Sequence, residues 1–253
     1  MSPFEKWLYP TVQGLYCEPG NFFIDPLSPV ERALITHGHS DHARRGHNHV
    51  LATHETIQIM KIRYGADCAK SFETAQYGIT VSVGDVDVRF VPAGHILGSA
   101  QIVLEYDNSR AVFSGDYKRS SDPTCEPFEP VPCDLFISEA TFALPVFSHE
   151  PAEREISRLL ESLKRNKERT HLLGVYALGK CQRMIRMLRD FGYNSPIYLH
   201  NALVPLTNLY QNLGVSLGEC LSVSTSTEKD LKGALVLCPP SSLEDRWSRR
   251  MGD

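Results

Sequence analysis

Residues Thr36 to His42 read Thr-His-Gly-His-Ser-Asp-His and follow directly on Arg32-Ala-Leu-Ile, a short apolar run of the kind that ends a buried strand. The polar cluster therefore belongs to a loop at the C-terminal edge of a strand. Three imidazoles and a carboxylate in so few residues are the donor types that divalent metals take, zinc above all. In an extended or tightly turned segment His37 and His39 share one side because side chains alternate. Asp41 and His42 must point elsewhere. One loop can thus offer one pair to one metal and the next pair to a second, and two adjacent metals can polarise a phosphoryl or carbonyl oxygen. The competing reading is a polar loop that merely happens to be rich in histidine. With only 10 His in 253 residues, three in such a window are hard to reach by chance. The motif points to a metal and leaves the reaction open.

A chain of 253 residues can form one large domain or two modest ones. Hydrophobic residues at 42% and charged residues at 22% give no sign of disorder. There is no apolar run long enough for a membrane span, and the start, MSPFEKWLYP, lacks the basic and apolar regions of a secretory signal. A cytoplasmic protein is expected. Seven scattered cysteines without a C-x-x-C pair fit reduced thiols better than a disulfide framework or a zinc knuckle. A net charge of -4 argues against nonspecific coating of nucleic acid, but local basic clusters remain. These are Arg44-Arg45, Lys61/Arg63, Lys118-Arg119, Lys164/Arg165/Lys167/Arg169 and Arg183/Arg186/Arg189. Each taken alone is more often a solvated face than a binding surface.

Residues 15–35 predict a strand, a turn at Pro19-Gly20-Asn21 and a second strand ending at Asp25. Thr53 to Tyr64 has helical spacing, with Thr53 and Thr56 at its start and Gly65 closing it. From Ile79 to Asp116 the pattern alternates and predicts antiparallel strands, with a turn at Asp107-Asn108-Ser109. His95 and Asp116 lie at the ends of those strands, and they are the donor types that the first cluster still lacks. A further strand ends at Glu139. Beyond Pro145 strands and helices alternate, as in a parallel α/β layer, so the boundary is expected near Leu144-Pro145. Gly174 to Cys181 fits G-x-x-x-x-G-K-[ST] except at its last position. The missing hydroxyl is the magnesium ligand, which disfavours nucleotide hydrolysis. A glycine turn with Lys180 at a helix N-terminus remains a candidate phosphate contact.

With His37, His39, Asp41, His42, His95 and Asp116 in order, the first half resembles the metallo-β-lactamase fold. GHILGSAQ, SGDYKR and the acid of SEATF are similar to the β-CASP branch, whose members cut nucleic acids. Within that branch LYCEPGNFFIDP, THGHSDHARRGH and YALGKCQR resemble most the bacterial ligase-associated DNA exonucleases. The resemblance covers nearly the whole chain. It implies an α/β protein, with a metallo-β-lactamase-like αββα sandwich over residues 1–144 and an appended parallel β-CASP-like domain over 145–253. It further implies that His37, His39 and His95 hold one zinc, that Asp41 and His42 hold a second, and that Asp116 bridges the two. Asp25 would orient a ligand imidazole, Glu139 would be the first β-CASP acid, and Gly179-Lys180 would meet a phosphate.

The implied activity is zinc-dependent hydrolysis of phosphodiesters, with Asp41, Asp116 and Glu139 in catalytic roles. DNA is the expected substrate, RNA the alternative, a DNA ligase a candidate partner, and no membrane is involved. The family continues to two further histidines, in Ser-Asp-His-Ala-Asp-like and Thr-His-Gly-like segments, and neither follows Cys238. The second zinc site is accordingly expected to be incomplete: His200, in YLHNA, is not a substitute by motif, and two tightly held zincs would require another residue, such as His200 or His149, to complete it. Two other readings stay open: an inactive or split scaffold, and a small-molecule metallo-hydrolase of the same fold.

Overall fold

In the computed structural model, which describes residues 3–144, 146 and 150–251, the chain divides into two compact units, Met1–Thr141 and Phe142–Asp253. The boundary expected near Leu144-Pro145 falls slightly later, and Pro145 lies outside the described residues.

The first unit has two sheets. One runs in chain order through β1 (Leu8–Thr11), β2 (Gly14–Cys17), β3 (Phe22–Ile24), β4 (Arg32–Leu34), β5 (His47–Thr53) and β6 (Ala69–Ala75). It is antiparallel from β1 to β3 and parallel from β3 to β6. Helix α1 (His54–Tyr64) connects β5 to β6. Thr53 caps it, its Oγ1 accepting the Thr56 N–H at 3.3 Å, and such caps contribute about 1 kcal/mol. The second sheet comprises β7 (Thr80–Val83), β8 (Val86–Pro92), β9 (Ala100–Tyr106), β10 (Ser109–Phe113) and β11 (Leu135–Ile137), in the spatial order β11-β10-β9-β8-β7. Only the β10–β11 pair is parallel. The β9–β10 turn has Asp107 and Asn108 at φ 49° and 56°, left-handed values that match the twist of a two-residue hairpin.

Alternation along these strands sends Ile24, Leu34, Phe90, Ile102 and Leu104 into a core between the sheets. On the outer face of the first sheet, Ile57 and Met60 of α1 pack on Ile35, Val50 and Ala52. Fully burying side chains of this size contributes roughly 1.5–3 kcal/mol each. The outer face of the second sheet carries Val91, Val103 and Val112, against which Val131 and Cys133 pack. The covering stretch is irregular and not helical. Pro123, Pro127, Pro130 and Pro132 explain this, since each would remove a helical hydrogen bond and clash with the preceding turn.

The second unit is a parallel sheet flanked by helices. It contains α2 (Ala152–Arg165), β12 (His171–Gly174), α3 (Lys180–Asp190), β13 (Ile197–Leu199), α4 (Val204–Asn212), β14 (Cys220–Ser222), α5 (Glu228–Leu231) and β15 (Leu235–Cys238). Its strand order is β12-β15-β13-β14, all parallel. The last strand thus inserts centrally, which is why every residue of Leu235–Cys238 is buried. Arg189 fastens the connections by donating to the carbonyls of Tyr193, Ser195, Leu217 and Glu219 at 2.6–2.9 Å.

Candidate metal centre

Asp25 follows β3 in a left-handed conformation, φ 42°, which Asp tolerates better than most residues. Its N–H donates to Leu34 O at 3.0 Å. Its carboxylate accepts the Thr36 N–H at 2.8 Å and the Thr36 hydroxyl at 2.6 Å. The ends of β3 and β4 are thereby tied together, and the histidine loop leaves from this tie. Within the loop the His42 and Ala43 N–H groups donate to His39 O at 3.2 and 2.7 Å, so the chain turns back and returns the His42 ring to Asp25.

Three further links place the other donors. The Ser99 hydroxyl accepts the N–H groups of His95 and Ile96 at 3.0 and 3.1 Å, closing the β8–β9 loop around the His95 ring. Thr53 and Thr56, at the start of α1, donate to Gly98 O at 2.7 and 3.0 Å. The Ala100 N–H donates to Thr36 O at 2.8 Å. At the end of β10, Gly115 has φ 54°, and a Cβ there would lie 2.7 Å from Thr36 Oγ1. Glycine is the residue that lets this backbone come so close and deliver Asp116 to the same rim.

The result is a group of four converging donors: His37, His39, His95 and Asp116. His39 Nδ1 is 3.0 Å from His37 Nε2 and 3.1 Å from His95 Nε2. Asp116 Oδ2 is 3.8 Å from His37 Nε2 and 3.5 Å from His95 Nε2. A tetrahedral zinc with bonds of 2.0–2.1 Å spaces its ligands about 3.3 Å apart, so the four atoms already outline such a cage. The other oxygen of Asp116 faces away, 3.3 Å from His42 Nε2. That nitrogen also lies 3.7 Å from Asp41 Oδ2. Asp41 is 72% exposed, and neither it nor His42 is part of the group of four.

Protonation follows the same division. Burial first, then the neighbouring rings of His42, His39 and His95, holds His37 well below the usual histidine range. Burial, followed by His39, pushes His95 down to about 4. Both are therefore neutral at pH 7, the form that ligates metal. For His42 burial acts downward, but hydrogen bonds to Asp116 and Asp25 outweigh it and raise the ring to about 10. The hydrogen bond to His42 lowers Asp116 in turn. The carboxylates of Asp25 and Asp116 thus favour a proton on His42, with which a bound metal would compete.

Other residues singled out in the sequence lie elsewhere. Glu139, just beyond β11, accepts the Thr141 N–H at 2.7 Å and is not in the group of four. In the second unit Gly179 and Lys180 open α3, but the turn is not an open cradle of amides. Gly179 N–H donates to Gln182 Oε1 at 2.9 Å, and the N–H groups of Lys180 and Cys181 donate to Leu178 O and Tyr176 O. What remains for a phosphate is the exposed Lys180 ammonium. His200 Nδ1 accepts the Ala202 N–H, and its ring lies edge-on to Trp247. His149 lies outside the described residues.

Several basic candidates are structural. Arg63 donates to Gly38 O at 2.8 Å and props the histidine loop. Lys61 sits over Phe72, Lys118 pairs with Asp122, Arg165 with Glu161, and Arg186 with Asp190. Sequence reasoning missed Thr36, which touches Asp25, His37 and the β9 start at once. Its place inside the histidine motif was the only available signal.

No family model matches the chain. A probable DNA ligase of Opitutus terrae is 28% identical over 242 residues, covering 94% of this chain and 23% of that protein. Endoribonuclease YSH1 of Kluyveromyces lactis is 30% identical over 242 residues, 79% of this chain and 31% of that one. The Saccharomyces cerevisiae endoribonuclease YSH1 is 29% identical over 241 residues, 79% and 30% of the two chains. The chain spans less than a third of the length of each of these relatives. A crystal structure of a protein of unknown function from Enterococcus faecalis matches with a TM-score of 0.57 over 88% of this chain and 63% of that one. At 12% identity it is a likeness of fold alone. Together these likenesses relate the chain to the β-CASP nucleases and give it their metallo-β-lactamase-like fold.

Proposed function

We propose that the chain is the metal-binding part of a zinc-dependent phosphodiesterase that acts on DNA as an exonuclease, in the service of ligation or repair. The observation that carries this reading is the convergence of His37 Nε2, His39 Nδ1, His95 Nε2 and Asp116 Oδ2, with the second Asp116 oxygen turned to His42. Three imidazoles and one carboxylate suit zinc better than magnesium or calcium, which prefer all-oxygen cages. We assign the firm site to the group of four, and a weaker one to Asp41 and His42, with the Asp116 carboxylate shared between them. A divalent cation held here supplies Lewis-acid polarisation of the phosphodiester and lowers the pKa of water towards neutrality.

The chain's own residues hold and orient. The Thr36 hydroxyl lies 3.0 Å from His37 Nδ1 and Asp25 lies 2.7 Å from His42 Nδ1, so each ring is fixed from behind. Glu139 is proposed as an acid near the reacting phosphate, and Lys180 as a phosphate contact of the β-CASP-like residues 145–253. DNA is favoured over RNA because the match that spans 94% of the chain is to a protein called a DNA ligase. A cytoplasmic setting follows from that role. Among the described residues no helix is long and apolar enough to cross a membrane.

The test is digestion of end-labelled DNA and RNA of equal sequence by the zinc-loaded protein. Slow, chelator-sensitive shortening of DNA from its ends supports the reading. Preferential cutting of RNA, or internal cutting of DNA, contradicts its finer part.

A further inference from the structure

Neither the Lys164 nor the Lys167 ammonium makes an ion pair or a hydrogen bond among the described residues, although their neighbours Arg165 and Glu168 both do. Both line a cleft of about 490 Å³ in the second unit, together with Lys232, Phe191, Tyr193 and Tyr198. The lining segments immediately precede β12, β13 and β15, so the cleft opens at the N-terminal edge of the parallel sheet. Lys180 lies at the opposite edge, beyond the end of β12.

The cleft is built from three separate segments held in register. Gly233 has φ 73°, and a Cβ there would lie 2.0 Å from Lys167 O. That close approach sets Lys232 beside Lys167, and Lys232 Nζ is 2.5 Å from Glu168 Oε2. Asp230, the lining acid, turns its carboxylate to the Thr227 N–H and hydroxyl at 2.8 and 2.7 Å. Leu160 and Leu163 form an apolar wall, and Phe191 is 42% exposed. Basic residues commonly complement the C-terminal end of a helix dipole. That accounts for Lys164 in the last turn of α2. It does not account for Lys167, which lies beyond the Asn166 cap, or for Lys232, which comes from another segment.

We propose that this cleft holds a nucleotide, with its base against the Phe191 and Tyr193 rings and its phosphate at Lys164 and Lys167, beside the Lys232–Glu168 pair. Inorganic phosphate would leave most of the volume and the rings unused. A neutral apolar ligand would leave the Lys164 and Lys167 ammonium groups unanswered. The volume is in the range of sites for small organic ligands, and base-on-ring stacking joined to lysine contacts is how sequence-tolerant binding of nucleotides is achieved. The same chemistry is presented by a free mononucleotide and by one residue of a single strand. The proposal does not depend on the metal centre.

The test is fluorescence anisotropy of labelled oligothymidylate with the full chain in chelator, so that turnover cannot interfere, over a series of salt concentrations. Thymidine monophosphate and inorganic phosphate serve as competitors. Lys164→Ala/Lys167→Ala should weaken binding at least about tenfold and flatten the salt slope by roughly 1.4, at about 0.7 per contact on a single strand. Phe191→Ala should weaken it about tenfold and leave the slope unchanged. All three side chains are exposed, and unchanged thermal melts would show that the variants fold. Displacement by the mononucleotide identifies a mononucleotide site, and its failure to displace identifies a strand site. Wild-type binding and slope in both variants would overturn the proposal. So would displacement of the probe by inorganic phosphate at the concentrations at which the mononucleotide displaces it, or a wild-type chain that binds neither nucleotide probe.

Discussion

Asp25 Oδ2 lies 2.7 Å from His42 Nδ1 while the same carboxylate accepts both the N–H and the hydroxyl of Thr36. One acid thus fixes the ring assigned to the proposed weaker metal site and closes the strand ends from which the group of four emerges. Asp25→Ala should lower affinity at the second site by about 10 to 100-fold. It should also cost about 1–3 kcal/mol of stability, because the buried Thr36 N–H loses its acceptor. Chelator competition and thermal melts measure the two effects separately. A lower melt with unchanged metal affinity would reduce Asp25 to a structural residue.

Gly115→Ala places a methyl 2.7 Å from Thr36 Oγ1 at a left-handed backbone position. The expected outcome is a loss of about 1 kcal/mol or more of stability, together with weaker zinc binding as Asp116 is displaced. Zinc affinity equal to wild type would show that the loop yields without moving the carboxylate.

His47 is buried, and burial lowers its pKa from 6.5. Its Nδ1 accepts the Val30 N–H, its Nε2 has no well-formed hydrogen bond among the described residues, and the upward pull of the Arg44 backbone is the smaller effect. The unfolded chain then binds a proton that the native state refuses, so stability is full above pH 6.5 and falls as pH drops below it. His47→Asn, which retains an acceptor, should flatten that part of the stability profile of the metal-free protein. Urea unfolding between pH 7.5 and 5 reads the difference. Parallel profiles would remove His47 as a source of acid sensitivity.

Much of this arrangement was legible locally. The spacing His37, His39, Asp41, His42 implied two ligand pairs, and the structure sends His37 and His39 to one cluster while His42 turns to the far oxygen of Asp116. The cap Thr53, the stop Gly65 and the turn at Asp107-Asn108 are short-range devices, and each is found where its residue type predicts. The parts that were not legible depend on distant neighbours. β6 shows no alternation in its burial pattern, because most of Ala69–Ala75 lies at an exposed sheet edge. Arg189 reads as a surface cation and is instead consumed by four carbonyls. The glycine turn at Gly179 suggested free amides, yet Gln182, Leu178 and Tyr176 satisfy them.

With those amides engaged, Lys180 acts as a single charge. Lys180→Ala should weaken DNA binding modestly and reduce the salt slope by about 0.7–0.9, one contact's worth, while zinc content stays unchanged. Loss of zinc in this variant would mean that the turn is structural.

Asp116 and Glu139 should separate cleanly. Asp116→Ala removes an oxygen from both of the proposed metal sites and should deplete zinc and abolish turnover. Glu139→Ala should keep its zinc and lose about 10 to 100-fold in rate, as for a group that orients without ligating. Elemental analysis beside a digestion assay distinguishes them, and zinc loss in Glu139→Ala would place that carboxylate on the metal.

Zinc K-edge X-ray absorption on the protein loaded with one equivalent of zinc tests the central assignment most directly. The account predicts a first shell of three imidazole nitrogens and one or more oxygens at about 2.0–2.1 Å, with the imidazole contribution falling in His95→Ala. A sulfur shell near 2.3 Å, or a spectrum that His95→Ala leaves unchanged, would contradict it.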